Sequence, residues 1–207
     1  MTPEERYHNK YPVVNKDYAG RPLPGTKDDR FFLDIRHFVW ADDYFLSETA
    51  APMRGKPLDE IAHAAQKYVV KELKYVGDDT LGCSDYWMFP QETVCRGVGD
   101  CEDGAILMAS LLLNAIPKAE HWRVRVVAGW VQAAPTAPKG GHAYVGYCRE
   151  SDDRWVILDW CYLEDSRTAV KDKPLAKDRA EYLDVWFSFN HLYSWSHEQR
   201  TMEGRVR

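Results

Sequence analysis

Up to about residue 117 the apolar positions group into helical faces; beyond it they alternate with polar ones, the period of a strand. The strongest signal is Ala105 to Leu113, apolar apart from Ser110, which predicts a helix buried on every side. That helix ends near Asn114 to Pro117. Upstream, Asp59 is expected to cap a helix running to about Val76, with Ile61, Ala65, Tyr68, Val69 and Leu73 on one apolar face. Phe31 to Phe45 carries Phe31, Phe32, Leu33, Ile35, Phe38, Val39 and Trp40 at roughly helical spacing, so a short helix or an irregular packed segment is expected. Residues 1–30 are polar and broken by Pro3, Pro12, Gly20, Pro22, Pro24 and Gly25, and they read as an extended arm over the surface. Pro52 and Pro57 mark a linker, and Gly77 to Gly82 a turn.

After the central helix, Val124, Val126, Ala128 and Trp130 alternate with Arg123, Arg125, Val127 and Gly129, a strand pattern. Pro135, Pro138, Gly140 and Gly141 make a loop. His142 to Cys148 is the next strand, Glu150 to Asp153 a turn, and Arg154 to Trp160 the third strand. These form an antiparallel sheet. Lys171 to Arg179 is a charged loop or helix, and Tyr182 to Phe189 alternates in a way that lets it join the sheet edge.

Composition narrows the possibilities. With 207 residues, 45% hydrophobic and 29% charged, the chain is long enough for one well-buried core and short for two. A net charge of -5 without a lysine or arginine block leaves no electrostatic footprint for nucleic acid. The five cysteines, at positions 83, 95, 101, 148 and 161, are odd in number and form no CxxC pair, which argues against a disulfide framework or a structural zinc and for a reducing compartment. The start, MTPEERYHNKYP, lacks the apolar core of a signal peptide, and no run approaches a membrane span. A cytoplasmic protein without membrane association is expected.

The chemistry centres on Val98-Gly99-Asp100-Cys101-Glu102-Asp103-Gly104, a glycine-loosened loop that delivers one cysteine to the first turn of the buried helix. Unpaired N–H groups and the macrodipole there favour thiolate, so Cys101 suits a nucleophile with a lowered pKa. Taken alone, a free cysteine is more often a small buried apolar residue. The hairpin supplies a geometric test. If Glu150 to Asp153 form the turn, Arg149 faces Arg154, His142 faces Cys161 and Tyr144 faces Asp159. His142 and Asp159 then share a face as diagonal neighbours on adjacent strands, roughly 7–8 Å apart between backbones, a gap side chains close. Cysteine as nucleophile, histidine as proton shuttle and aspartate as the group that orients the histidine make the set thiol catalysis requires. His191 is a rival histidine without a paired aspartate.

These residues carry a resemblance. GDCED opening a helix, GGHAYV opening one strand and WVILDW forming the next resemble the transglutaminase-like cysteine peptidase superfamily, in particular the bacterial transglutaminase-like cysteine proteinases. In those, an aromatic-Trp-x-x-Pro-x-Glu segment also precedes the glycine loop, as Tyr86 to Glu92 does here. The likeness spans roughly residues 59 to 162. It implies a papain-like α+β fold, with the nucleophile helix packed on an antiparallel sheet, and a catalytic Cys101, His142 and Asp159. With the length and composition, the chain reads as a single domain over 1–207 (arm and packing segment 1–57, catalytic core 58–162, C-terminal strand and tail 163–207). The backbone N–H of Cys101 is one oxyanion donor; the Trp87 indole N–H, ranked first, or the Gln91 amide is the other.

Glu102 and Asp103 are read as helix-start residues that favour the macrodipole. Some relatives are calcium-dependent, with acidic residues one and three positions before the cysteine. Asp100 fits the nearer position but Val98 holds the farther, so neither metal nor cofactor is expected and Asp100 is read as bracing the loop. The implied activity is acyl transfer at an amide through a thioester, by a peptidase or amidase acting on a protein or peptide. The alternatives are a protein-glutamine transglutaminase and a non-catalytic binding protein that keeps the fold.

Overall fold

The computed structural model describes residues 2, 4–5, 13–14, 18–22, 30–81 and 85–200. Most of the arm's prolines and glycines, the end of the Gly77 to Gly82 turn, and Cys83 lie outside the described residues.

The arm is not simply laid on the surface. Two of its segments pair: β1 (Val13–Val14), and β2 (Tyr18–Pro22) with β3 (Arg30–Asp34). The aromatic stretch expected to be a short helix or irregular is divided. Its first residues form β3, Ile35–Phe38 is a 3-10 turn, and α1 (Tyr44–Ala50) follows, capped by the Asp43 carboxylate accepting from Leu46 N–H at 2.9 Å. Phe38 and Leu46 are fully buried.

Helix α2 (Leu58–Glu72) buries Ile61, Ala62, Ala65 and Val69. It ends four residues before Val76, because Lys74–Tyr75 leaves the helix to form β4. Asp59 is not its cap. It faces the β-hairpin turn, accepting from the Glu150 N–H at 2.8 Å and the Tyr147 hydroxyl at 3.1 Å. Pro57 takes the cap position, where its fixed φ suits a helix entry and its missing N–H costs nothing. Helix α3 (Pro90–Arg96) stops at Gly97, whose φ of 64° is the left-handed conformation glycine adopts without strain. After β5 (Val98–Gly99), α4 (Cys101–Ala115) is buried along nearly its whole length.

Among the described residues six strands form the main sheet: β6 (Val124–Val131), β7 (Gly140–Cys148), β8 (Trp155–Leu158), β9 (Tyr182–Phe189) and β10 (Ser194–Arg200), joined by β1, in the order β1-β10-β9-β6-β7-β8. All their pairings are antiparallel. Strand β9, expected at the sheet edge, lies inside it between β10 and β6. Alternation divides the side chains between two faces. Val124, Val126, Val145 and Tyr147 join α2 and α4 in the larger core, while Val127, Val131, Tyr144 and Tyr182 form a smaller one on the opposite face. Arg125 is fully buried with its guanidinium 3.6 Å over the Trp195 ring, a stacking contact across the sheet.

Gly104 lies where α4 meets Trp160: a Cβ there would overlap the indole ring. In an open helix Gly→Ala stabilises by about 1 kcal/mol; here the clash reverses the sign. Gly104→Ala is expected to lower stability by about 1–3 kcal/mol, read as a fall in the thermal midpoint.

Candidate active site

Cys101 opens α4 because β4 and β5 hold the preceding loop: Lys74 pairs with Val98 and Tyr75 with Gly99 in parallel. Gly99 has no room for a side chain, since a Cβ would come within 2.7 Å of Asp103 Cβ. The Asp103 carboxylate accepts from the Asp100 N–H at 3.1 Å and from the Met88 N–H at 2.7 Å, satisfying helix-start donors and tying the aromatic lead-in to them. Arg21 of β2 secures that lead-in with two bonds to Glu92, at 2.8 and 2.9 Å, and one to the Tyr86 hydroxyl at 2.7 Å. The Trp160 indole donates to the Cys101 carbonyl at 3.2 Å.

The β7–β8 ladder pairs Val145 with Leu158 and Cys148 with Trp155, and Arg149 N–H bonds the Arg154 carbonyl at 2.9 Å. Continued past its last bond, this register sets Tyr144 opposite Asp159 and His142 opposite Cys161. His142 Nε2 and Asp159 Oδ2 are 2.7 Å apart, and both residues are buried. Asp159 is held from every side. Its Oδ1 accepts from the N–H groups of Cys161 and Tyr162 at 3.0 and 3.2 Å, its Oδ2 also from the Tyr182 hydroxyl at 2.6 Å, and its backbone carbonyl from Gln66 at 2.7 Å. Burial opposes the carboxylate charge, but the bonds from His142, Tyr182 and Cys161 outweigh it and hold the pKa down at about 2. An ionised Asp159 only accepts, so the proton between the pair sits on His142 Nε2 and leaves Nδ1 of the neutral ring as an acceptor.

Cys101 and His142 open on two cavities. The larger, about 860 Å³, is walled by Trp87, Trp186 and Phe187 and by five carboxyl side chains, those of Asp78, Asp79, Asp85, Asp100 and Glu102. The smaller, about 360 Å³, adds Lys139, Cys161 and Tyr162. Tyr75 and Gly141 belong to both. Gly141 leaves space for Trp186, which a Cβ would approach to 3.0 Å, and Trp186 meets Trp130 edge-on at 4.9 Å.

The electrostatics beside the sulfur run against the sequence expectation. Cys101 Sγ lies 3.1 Å from Glu102 Oε2. Burial and then the charges of Glu102 and Asp100 push the thiol pKa up, with only a smaller opposing effect from the Ala143 N–H. The helix start alone favours thiolate; the crowd of carboxylates around it does not. Burial also raises Asp78 to about 6 and Asp103 to about 7.

Of the proposed oxyanion donors, Trp87 lines the larger cavity but commits its indole N–H to Asp85 at 3.0 Å, and Gln91 is exposed on α3 and lines neither cavity. His191 pairs with His121, ring nitrogens 3.4 Å apart, and also lines neither. Sequence reasoning missed Tyr75, Asp78 and Tyr182. Only Tyr182 had a signal, in the strand alternation that placed it on the sheet.

An α+β fold with a cysteine-bearing helix packed on an antiparallel sheet, and a His–Asp pair at the end of two of its strands, is papain-like. Residues 47–160 match the transglutaminase-like superfamily, more than half of the chain, and the chain belongs to that superfamily. Among solved structures it is similar to Legionella pneumophila LapG, at 21% identity and a TM-score of 0.55 over 74% of this chain and 75% of that one. EGTA-treated LapG gives 21% and 0.55, over 75% and 74%; calcium-bound LapG gives 21% and 0.54, over 74% and 75%. No curated protein matches. Among the described residues no helix is long and apolar enough to cross a membrane.

The folded-state pKa of Asp159 lies below the unfolded value of about 3.9. Its contribution is therefore complete above about pH 4 and lost as pH falls toward 2. Asp159→Asn is expected to lower the unfolding free energy by about 1–3 kcal/mol at pH 7. In urea denaturation from pH 7 to pH 3, the gap to the unaltered chain should narrow below about pH 4.

Proposed function

We propose that this chain is a cysteine hydrolase that cleaves amide bonds in a protein or peptide through a thioester, with Cys101 as nucleophile, His142 as proton shuttle and Asp159 as the group that orients the ring. The observation that carries this reading is the 2.7 Å His142–Asp159 bond at a cleft that Cys101 also lines. Neutral His142 takes the Cys101 proton on Nδ1, and the thiolate attacks the acyl carbon. The resulting imidazolium, its Nε2–H held by ionised Asp159, returns the proton to the leaving amine. Water then resolves the thioester by the same route in reverse order. The Cys101 N–H and the Tyr75 hydroxyl serve the oxyanion in this reading; Tyr75 takes the place first assigned to Trp87, because it lines both cavities beside Cys101.

A divalent cation fits the acidic loop. Asp78 Oδ1 and Asp100 Oδ1 are buried without a hydrogen-bond partner among the described residues, and one oxygen each of Asp78, Asp100 and Asp103 lie within 4.8 Å of one another. Hard, crowded carboxylate oxygens suit calcium. Bound there, the ion supplies the positive charge that this corner lacks and clamps the loop to the helix start. The expectation of no metal rested on Val98 and on the missing signal peptide; in this reading Asp78, earlier in the sequence, supplies the further carboxylate. Calcium at a hundredfold excess over Kd should stabilise the protein by about 2.7 kcal/mol. The gain is read as a raised thermal midpoint that EGTA reverses and Asp78→Asn diminishes; a midpoint indifferent to calcium would sink the metal assignment.

A second reading, transfer of the acyl group to an amine, is favoured by one observation: the larger cavity is lined by five carboxyl side chains and by no lysine or arginine among the described residues, which attracts an ammonium group. A glutamine-containing peptide incubated with and without a primary amine separates the two, free acid marking hydrolysis and the adduct marking transfer. In either case Cys101→Ala and His142→Ala should each lower turnover at least about a thousandfold. Unchanged turnover in folded Cys101→Ala would remove Cys101 as nucleophile and overturn both readings, whereas no turnover of any peptide or amine by the folded, unaltered chain would leave a binding protein.

A further inference from the structure

The superfamily match stops at residue 160, yet a residue beyond it reaches the His–Asp pair. Tyr182 of β9 donates its hydroxyl to Asp159 Oδ2 at 2.6 Å, the oxygen that also accepts from His142 Nε2. The side chain is buried. Its ring packs edge-on against Tyr144 at 4.8 Å, Tyr144 stacks beside His142 at 6.2 Å, and the Arg179 guanidinium lies 5.0 Å from the Tyr182 ring.

Strand irregularity delivers Tyr182 to this point. Along β6, Val127 opposes Ser188 and Ala128 opposes Phe187, but Gly129 opposes Val185 and Val131 opposes Tyr182. An unshifted ladder would set Asp184 opposite Val131. The two shifts instead draw β9 along by two residues, which preserves the facing of its side chains and brings the phenol over Asp159. Gly129 makes this possible, since a Cβ there would overlap the Asp184 carbonyl.

Burial and the neighbouring Asp159 charge keep the phenol protonated, so it can only be the donor in this bond. We propose that Tyr182 is a positioning residue for the His142–Asp159 pair, locking the carboxylate against rotation and drawing off part of the charge that would otherwise fall on the imidazole. This assignment rests on the catalytic reading of His142 given above. Among the described residues, the titratable groups around the ring are Asp159 and Cys161 after β8, Tyr162 beyond them, Tyr144 on β7, Tyr182 on β9 and Cys101 on α4, with Tyr75, Lys139 and the carboxyl groups of Asp78, Asp79, Asp85, Asp100 and Glu102 lining the cavities that His142 shares. Of these, Tyr182 is the side chain that shares the His142 acceptor oxygen. Without its hydroxyl, Asp159 concentrates its charge on the imidazolium, which becomes a weaker acid toward the leaving group.

The test is Tyr182→Phe in the full chain, with the His142 titration followed by NMR of labelled histidine in a Cys101→Ala background and the pH profile of hydrolysis measured with Cys101 present. The expected result is a His142 pKa raised by about half a pH unit or more, a matching displacement of the acid limb of the profile, and a kcat lowered about 3- to 30-fold with KM nearly unchanged. A merely structural tyrosine would leave the titration where it was. Replacement of Tyr182 by 3-fluorotyrosine keeps the shape, strengthens the donor and should move the titration the opposite way, which covers the case of a Phe variant that fails to fold. A folded variant with an unmoved His142 titration overturns the assignment. Titrations that move as expected in a protein without any turnover overturn the hydrolase reading and support the role of Tyr182 in the pair.

Discussion

One buried carboxylate organises the histidine side of the cleft. Asp159 is 1% exposed and takes hydrogen bonds from two backbone N–H groups, an imidazole and a phenol, while its own carbonyl takes a fifth from Gln66. Isolated burial of such a charge would be prohibitive, and only a full set of donors makes it tolerable. Those donors come from α2, β7, β9 and the turn after β8. The packing of four separate elements is thereby tied to the ionisation of one group.

The other half of the site has the opposite character. Around the start of α4, carboxylates are gathered faster than donors, and Asp78 and Asp100 each keep a buried oxygen without a partner among the described residues. The same helix start that should favour a thiolate therefore sits in a negative field that disfavours it. A satisfied anion lies on the histidine side of the cleft and an unsatisfied cluster on the cysteine side. That contrast motivates a cation for the second and none for the first.

Much of this was legible in the amino-acid order wherever interactions are local or periodic. The apolar run after Cys101 is a buried helix, and a turn at Glu150 to Asp153 was sufficient to set His142 diagonally across from Asp159. Legibility failed where a distant partner decides. Asp59 looks like a cap, but the hairpin turn some ninety positions later claims its carboxylate. Trp87 looks like a free donor, but Asp85 takes its N–H. Alternation in Tyr182 to Phe189 gives a strand without saying which neighbours flank it, and the register shifts that carry Tyr182 to Asp159 depend on Gly129, a residue with no side chain to read.

The central placement of β9 has a consequence for biogenesis. When β6, β7 and β8 have left the ribosome, the flank of β6 that will receive β9 is still an open row of backbone donors and acceptors, because its partner is translated some fifty residues later. A nascent chain in that state is prone to wrong strand pairing. It also lacks the phenol that completes the Asp159 environment, so that side of the cleft stays unfinished until β9 arrives.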